Sequence, residues 1–160
     1  MCLSYIDVLF GIEPYHLWKD EQDHQTGDVK DGVLFQPDFK QQDEVFHGFV
    51  KRYPNIKCIA RHVRYAHSCS ENSLMAYLWY DGKTYESQKL RFHILDRVGG
   101  GDAFVSGIIY ALMNEYKPQD IADFGVAASA VKHTIHGDGN ITDDVSLIEH
   151  IMQMNFDIKR

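Results

Sequence analysis

Apolar and polar positions change period several times along this chain, and each change marks an element. Within residues 39–53, Val45, Phe46, Phe49 and Val50 fall on one helical face, and Pro54 ends the pattern. Residues 56–60 then read as a short buried strand. Residues 74–80 and 83–87 flank Asp81-Gly82, a pair suited to a tight type I′ turn, and predict a hairpin. Residues 90–95 alternate well enough for another strand, whereas 103–113 carry apolar residues at helical and near-continuous spacing and predict a buried helix. Pro118 opens the next helix at its first turn, and Thr142 with Asp143 and Asp144 supplies an N-cap for the last one. Towards the N-terminus, residues 4–10 read as a buried strand, 14–18 as a short helix and the acid-dense 19–32 as a surface loop. Strands alternating with helices predict an α/β chain without internal repeats.

Residues 96–104, Asp-Arg-Val-Gly-Gly-Gly-Asp-Ala-Phe, sit where a predicted strand passes into a predicted helix. Glycines at a helix start let a ligand approach the backbone closely, and the unpaired N–H groups there favour an anion. Two familiar phosphate loops are excluded by spacing. No lysine follows the glycines as a Walker A loop requires, and Phe104 stands where a dinucleotide fingerprint needs its third glycine. Asp102 directly behind the glycines would repel a passively held phosphate. A carboxylate there suits a general base that takes the proton of an attacking hydroxyl while the amides of Gly99, Gly100 and Gly101 hold the transferring phosphoryl group. The same acid also reads as a helix cap, and Gly-Gly-Gly as a flexible turn.

This stretch resembles the Asp-Thr-x-Gly-Ala-Gly-Asp-x-Phe signature of ribokinase-like sugar kinases, the phosphofructokinase B family, through Asp96, Gly99, Gly101, Asp102 and Phe104. Arg97 stands where threonine is usual, and Gly100 where alanine is usual. The usual threonine helps organise a monovalent-cation site in many members, so the resemblance leaves a cation requirement open. Downstream, Gly125, Ala127, Ala128, Ser129 and Ala130 make a face of small residues that either another helix or a flat ring can approach. The resemblance implies that Ala128 lies beside the nucleotide base and Gly137 in the following glycine turn. In the 2-keto-3-deoxygluconate kinase branch it implies that Asp138 approaches the sugar acid, although Gly-Asp-Gly-Asn is also ordinary turn chemistry.

After the strand at 56–60, where the family often carries Thr-x-Gly-x-x-Gly, this chain has Ala60-Arg61-His62-Val63-Arg64. Arg61 or Arg64 could supply positive charge to a nucleotide phosphate, or be a surface arginine. An arginine near this point favours the ketodeoxygluconate branch. Near the family's magnesium-ordering Asn-x-x-Glu motif, Glu13 is the one acid, with no asparagine beside it.

The net charge of −7 lacks a basic stripe, which argues against nucleic acid. No run approaches the ~18 apolar residues of a membrane span. Cys2, Cys58 and Cys69 are odd in number and lack metal spacing, which points to a reduced, cytoplasmic protein. His133 with His136, and His62 with His67, are the histidine pairs for a metal, and neither has a third ligand at suitable spacing.

The resemblance implies a three-layer α/β/α ribokinase-like fold with a mostly parallel sheet and a β-hairpin. It implies that residues 1–160 form the C-terminal half of one kinase domain, with the N-terminal half and lid absent. The implied activity is ATP- and Mg²⁺-dependent phosphorylation of a sugar-acid hydroxyl, most closely that of 2-keto-3-deoxygluconate, with ATP and a small sugar acid as partners and homo-oligomerisation left open. A non-catalytic nucleotide-binding module and an inactive fragment are the alternatives.

Overall fold

A computed structural model of the chain describes residues 2–12, 38–139 and 144–153. The expectations at Glu13, residues 14–18 and 19–32, Thr142 and Asp143 fall outside these. A short 3-10 helix, Cys2–Tyr5, precedes strand β1, Val8–Phe10, so the strand begins later than the apolar run at 4–10 suggests. Helix α1 is Phe39–Arg52, followed by β2 Cys58–Ala66, β3 Glu71–Tyr80, β4 Lys83–Glu86 and β5 Leu90–His93. Helices α2 Gly100–Met113, α3 Pro118–Lys132 and α4 Val145–Gln153 complete the order.

The sheet runs β1-β2-β3, and the far edge of β3 is shared end to end by β4 and β5. At the junction, Ser87 stands in for a strand residue: its N–H donates to the Ala76 carbonyl at 2.8 Å, and its Oγ accepts from the Ala76 N–H at 2.7 Å. Among the described residues, β1 and β2 alone pair in parallel, which corrects the expectation of a mostly parallel sheet. The cause lies in connection length: β2 to β5 follow one another through short links, and short links join antiparallel neighbours. At the β3–β4 hairpin, Asp81 and Gly82 have φ of 49° and 81°, as a type I′ turn requires.

Both faces of the sheet are covered, giving the expected three layers. Alternation along β3 sorts the side chains. Met75, Tyr77 and Trp79 join Ile59, Val63, Val45 and Phe46 beneath α1. Leu74, Ala76 and Leu78 join Ala60, Phe104, Ile108, Phe124 and Val126 beneath α2 and α3, where Ile148 of α4 also packs. Such two-sided burial explains why β3 is buried at every position from Asn72 to Trp79.

Local chemistry sets the helix ends. Asp38 accepts from the Gln41 N–H at 2.8 Å, and Gln41 reaches back to the Asp38 N–H, forming a capping box for α1. Pro118 occupies the first turn of α3, as its fixed φ predicts. Asp144 accepts from the Leu147 N–H at 3.2 Å at the start of α4. Helices α2 and α3 cross at Gly107, where an added Cβ would lie 2.9 Å from the Ala128 Cβ and 3.1 Å from the Gly125 Cα. Among the described residues, no helix is long and apolar enough to cross a membrane.

Candidate active site

The glycine loop joins β5 to α2, and the C-terminal end of α3 holds it from below. Carbonyl oxygen of His133 accepts from the N–H groups of Leu95, at 2.8 Å, and Asp96, at 3.1 Å. Ser129 Oγ donates to the Gly100 carbonyl at 2.8 Å. These bonds join residues far apart in sequence, so the loop's path is set by α3 and not by its own composition.

Helix α2 starts at Gly100, earlier than the apolar pattern from 103 suggests, and its N-cap is Gly99 at φ 77°. A left-handed backbone of this kind favours glycine. Gly99 also faces crowding, since an added Cβ would lie 2.8 Å from the Asp138 carbonyl oxygen. Asp102 is therefore the third residue of the helix and not its cap, which corrects the capping expectation; its side chain is exposed. The N–H groups of Gly100, Gly101 and Asp102 have no helical carbonyl one turn upstream and are available to an anion. Above Gly101 the space is open, with His62 Cε1, at 4.0 Å from an added Cβ, as its first neighbour.

Tertiary structure brings the turn at Gly137 and Asp138 against this loop. Asp96 Oδ2 accepts from the Gly137 N–H at 2.8 Å, while its Oδ1 accepts from the Val98 N–H at 3.0 Å. The N–H of Val98 first, and then that of Gly137, holds the Asp96 carboxyl below its ordinary range. Lys132 is fully buried, and its Nζ donates to the carbonyls of Gly137 at 2.6 Å and Ile135 at 3.2 Å. Gly99, Gly100, Gly101, Asp102, Gly137 and Asp138 thus form one constellation, as their spacing along the chain could not show.

One expected nucleotide contact, Arg61, is placed elsewhere. Residues 61–66 continue β2 and form no loop, because β3 is long enough to pair with them as far as Ala66. Arg61 consequently shares the α1 side of the sheet with Val63, where its Nη1 donates to Gln42 Oε1 at 2.7 Å. That placement turns it away from the glycine loop. Ala128 is 4% exposed and packs into the α2–α3 crossing against Gly107, the helix-packing alternative that its small-residue face allowed. Arg97 spans to the β2–β3 connection, its Nη2 donating to the Cys69 carbonyl at 2.9 Å.

His62 and His133, read from the sequence only as members of candidate metal pairs, pack beside the loop instead. His62 packs on Phe104 with ring centroids 4.9 Å apart, and His133 packs on Phe92 at 5.2 Å. Burial foremost lowers the pKa of both histidines; His133 and the arginines 61 and 64 add to this for His62, while for His133 the Ser129 carbonyl pulls the other way and Arg64, Lys132 and Arg97 add to the lowering. Strand alternation was the available signal, since positions 62 and 64 share the face opposite 61 and 63.

Among the described residues, no group of three or more His, Cys, Asp or Glu is placed to hold a metal ion. His133 is committed to the Ser129 carbonyl at 2.7 Å, and His67 to Ser73 Oγ at 2.8 Å. Cys58 and Cys69 are free thiols, and burial pushes the Cys58 thiol up to about 12.

Residues 75–144 match the pfkB family of carbohydrate kinases. A 5-dehydro-2-deoxygluconokinase from Clostridium botulinum is 31% identical over 71 residues, 44% of this chain and 20% of that protein. The corresponding kinase of Clostridium tetani is 32% identical over 78 residues, 49% of this chain and 22% of that protein. Among solved structures, a 2-dehydro-3-deoxygluconokinase from Thermotoga maritima superposes with a TM-score of 0.75 at 26% identity, covering 94% of this chain and 42% of that one. A pfkB family carbohydrate kinase from Listeria grayi gives 0.72 at 26% identity, with the same coverages. The chain therefore spans less than half the length of these solved relatives, and the matched segment about a fifth of the curated ones.

Proposed function

We propose that this chain, which carries a pfkB family carbohydrate kinase segment in a ribokinase-like fold, is the phosphoryl-handling C-terminal part of an ATP-dependent sugar kinase. One observation carries the reading: an exposed carboxylate, Asp102, stands in the first turn of α2 among unpaired N–H groups, and the Asp138 turn is tied against the same loop.

Bound nucleotide would supply the transferable phosphoryl group. The chain's own residues do the rest. N–H groups of Gly100 and Gly101 face the anion and stabilise charge as it shifts onto the oxygens of the transferring group. Asp102 accepts the proton of the attacking hydroxyl, which raises the nucleophilicity of that oxygen. Asp138 contacts the sugar acid from the neighbouring turn, and Gly137 lies on the nucleotide side of it. The open approach above Gly101 fits a phosphate cradle. The described residues gather no group of three or more His, Cys, Asp or Glu, so Mg²⁺ would be held chiefly by the nucleotide's phosphates, whose charge it would offset.

The proposed substrate class is a keto-deoxy sugar acid, with 2-keto-3-deoxygluconate first and 5-dehydro-2-deoxygluconate second. Both are compounds for which similar proteins are named. The proposed setting is the cytoplasm, where ATP is supplied and thiols such as Cys69 stay reduced.

A second reading is a nucleotide-binding module without turnover, in which the unpaired N–H groups at the start of α2 hold an anion and no proton is removed by Asp102. Calorimetric titration with ATP, paired with a phosphoryl-transfer assay on both sugar acids, separates the two. Binding with transfer supports the kinase; binding without transfer supports the module; no nucleotide binding overturns both.

A further inference from the structure

Gly100 rests on the imidazole of His133. A Cβ built on Gly100 would run into Cε1 of that ring and would lie 2.9 Å from its Nε2 and 3.0 Å from its Nδ1. The nearest comparable contact, between a Cβ built on Gly125 and Phe104 Cε2, is 3.1 Å. The ring itself cannot give way. Its Nδ1 is 2.7 Å from the Ser129 carbonyl oxygen, Phe92 lies against its face, and the residue is 5% exposed. A carbonyl only accepts, so Nδ1 carries the hydrogen, and in the neutral ring Nε2, on the other side of the Cε1 vertex that faces Gly100, carries none.

We propose that His133 is the positioning residue of the glycine loop, its ring forming the floor that aims the N–H groups of Gly100 and Gly101 at an anion and its Nε2 taking up a proton when that anion binds. The proposal rests on the reading of this loop as a phosphoryl site.

Electrostatics around the ring explain the coupling. The charged or titratable groups that act on it are His62 and Arg64 from β2, Arg97 from the loop and Lys132 from α3. All are basic, so in the empty loop another positive charge on His133 is opposed by its neighbours as well as by burial, which together outweigh the opposite pull of the Ser129 carbonyl bonded to Nδ1. An anion on the N–H groups of Gly100 and Gly101 reverses that balance. Proton uptake and anion binding then favour one another, as linkage requires.

Sulfate is the suitable probe, because it does not titrate between pH 5.5 and 7.5 whereas phosphate does. The experiment follows the backbone amides of Gly100, Gly101 and Asp102 in the full ¹⁵N-labelled chain by nuclear magnetic resonance during a sulfate titration at both values. The expected result is saturable shifts at these amides, with affinity about threefold or more higher at the lower pH, the effect of half a unit of linked pKa change. His133→Asn, which can still donate to the Ser129 carbonyl but cannot titrate, should bind at both values with the pH dependence lost. His62→Gln should keep that dependence. A Gly100→Ala chain should lose binding, and adding His133→Ser should restore part of it by clearing the floor.

Unchanged pH dependence in His133→Asn overturns the proposal and leaves the phosphoryl site standing, as does equal loss of binding in Gly100→Ala with and without His133→Ser. Absence of any sulfate response in the unsubstituted chain overturns both.

Discussion

Asp96 and Gly137 are joined by a hydrogen bond of 2.8 Å across 41 residues of chain, and this bond closes the candidate site. Asp96 stands three residues before the glycines, and Gly137 one residue before Asp138. Replacing Asp96 by Ala should release the turn. Amide hydrogen exchange at Gly137 and Asp138 should quicken, while the Ala76 and Leu78 amides in the sheet keep their protection. The sign with pH follows from the direction of the Asp96 shift. Its carboxyl is held below the ordinary value, so the stabilisation is present above about pH 4 and fades as pH falls through the folded-state value. Exchange at Gly137 in the unsubstituted chain should therefore quicken in the same acid range.

Asp102 is exposed and holds no cap bond, so removing its charge should leave the fold intact. In a chain that transfers phosphoryl groups, Asp102→Asn should lower kcat by roughly 10² to 10⁴, with an unchanged melting temperature. Near-normal turnover in that variant would sink the assignment of Asp102 as the base.

The α2–α3 crossing should resist enlargement. Gly107→Val places branched carbon against the Ala128 Cβ and the Gly125 backbone and should cost about 1–3 kcal/mol in denaturant unfolding. A milder Gly107→Ala change should be partly offset by Ala128→Gly, because the overlap involves the Ala128 Cβ directly. Additive effects of the two would mean that the helices separate instead.

Glu115 follows the C-cap of α2 with φ 56°, and its N–H donates to the Leu112 carbonyl at 3.2 Å. Glutamate is strained in this left-handed conformation and glycine is not. Glu115→Gly should stabilise the chain by about 0.5–1 kcal/mol in equilibrium unfolding. Glu115→Val should destabilise it.

His62 and His133, half-buried and buried respectively, make stability fall on mild acidification. His62 and His133 both have lowered folded-state values, so the unfolded chain binds their protons first. Stability should be full above the ordinary histidine value near 6.5 and decline as pH drops below it, with each histidine contributing a slope of at most about 1.4 kcal/mol per pH unit. Urea unfolding from pH 7.5 to 5.5 should show this, and His62→Gln with His133→Asn should flatten it.

Local signals made much of the fold legible. Asp81-Gly82 marked the hairpin, Pro118 the start of α3, and the 45, 46, 49, 50 face the amphipathic α1, because each depends on neighbours a few residues away. The strand read at 56–60 runs on to Ala66 through pairing with β3, a non-local partner that local spacing does not reveal. Arg61 illustrates the same limit: residue type suggested a phosphate contact, whereas the strand's pleat gave it Gln42 of α1 as its neighbour.

By itself, then, the sequence determined that a glycine-rich helix start with an acid behind it exists, since that needs only residues 96–104 in order. Tertiary structure alone decided what stands around it. His133, Ser129 and Lys132 from the end of α3, Asp96 bonded to Gly137, and Asp138 beside Gly99 come together only when α3 packs across the sheet. The physical reason is that side-chain aim depends on the burial of both sheet faces and on hydrogen bonds between distant segments, neither of which local spacing encodes.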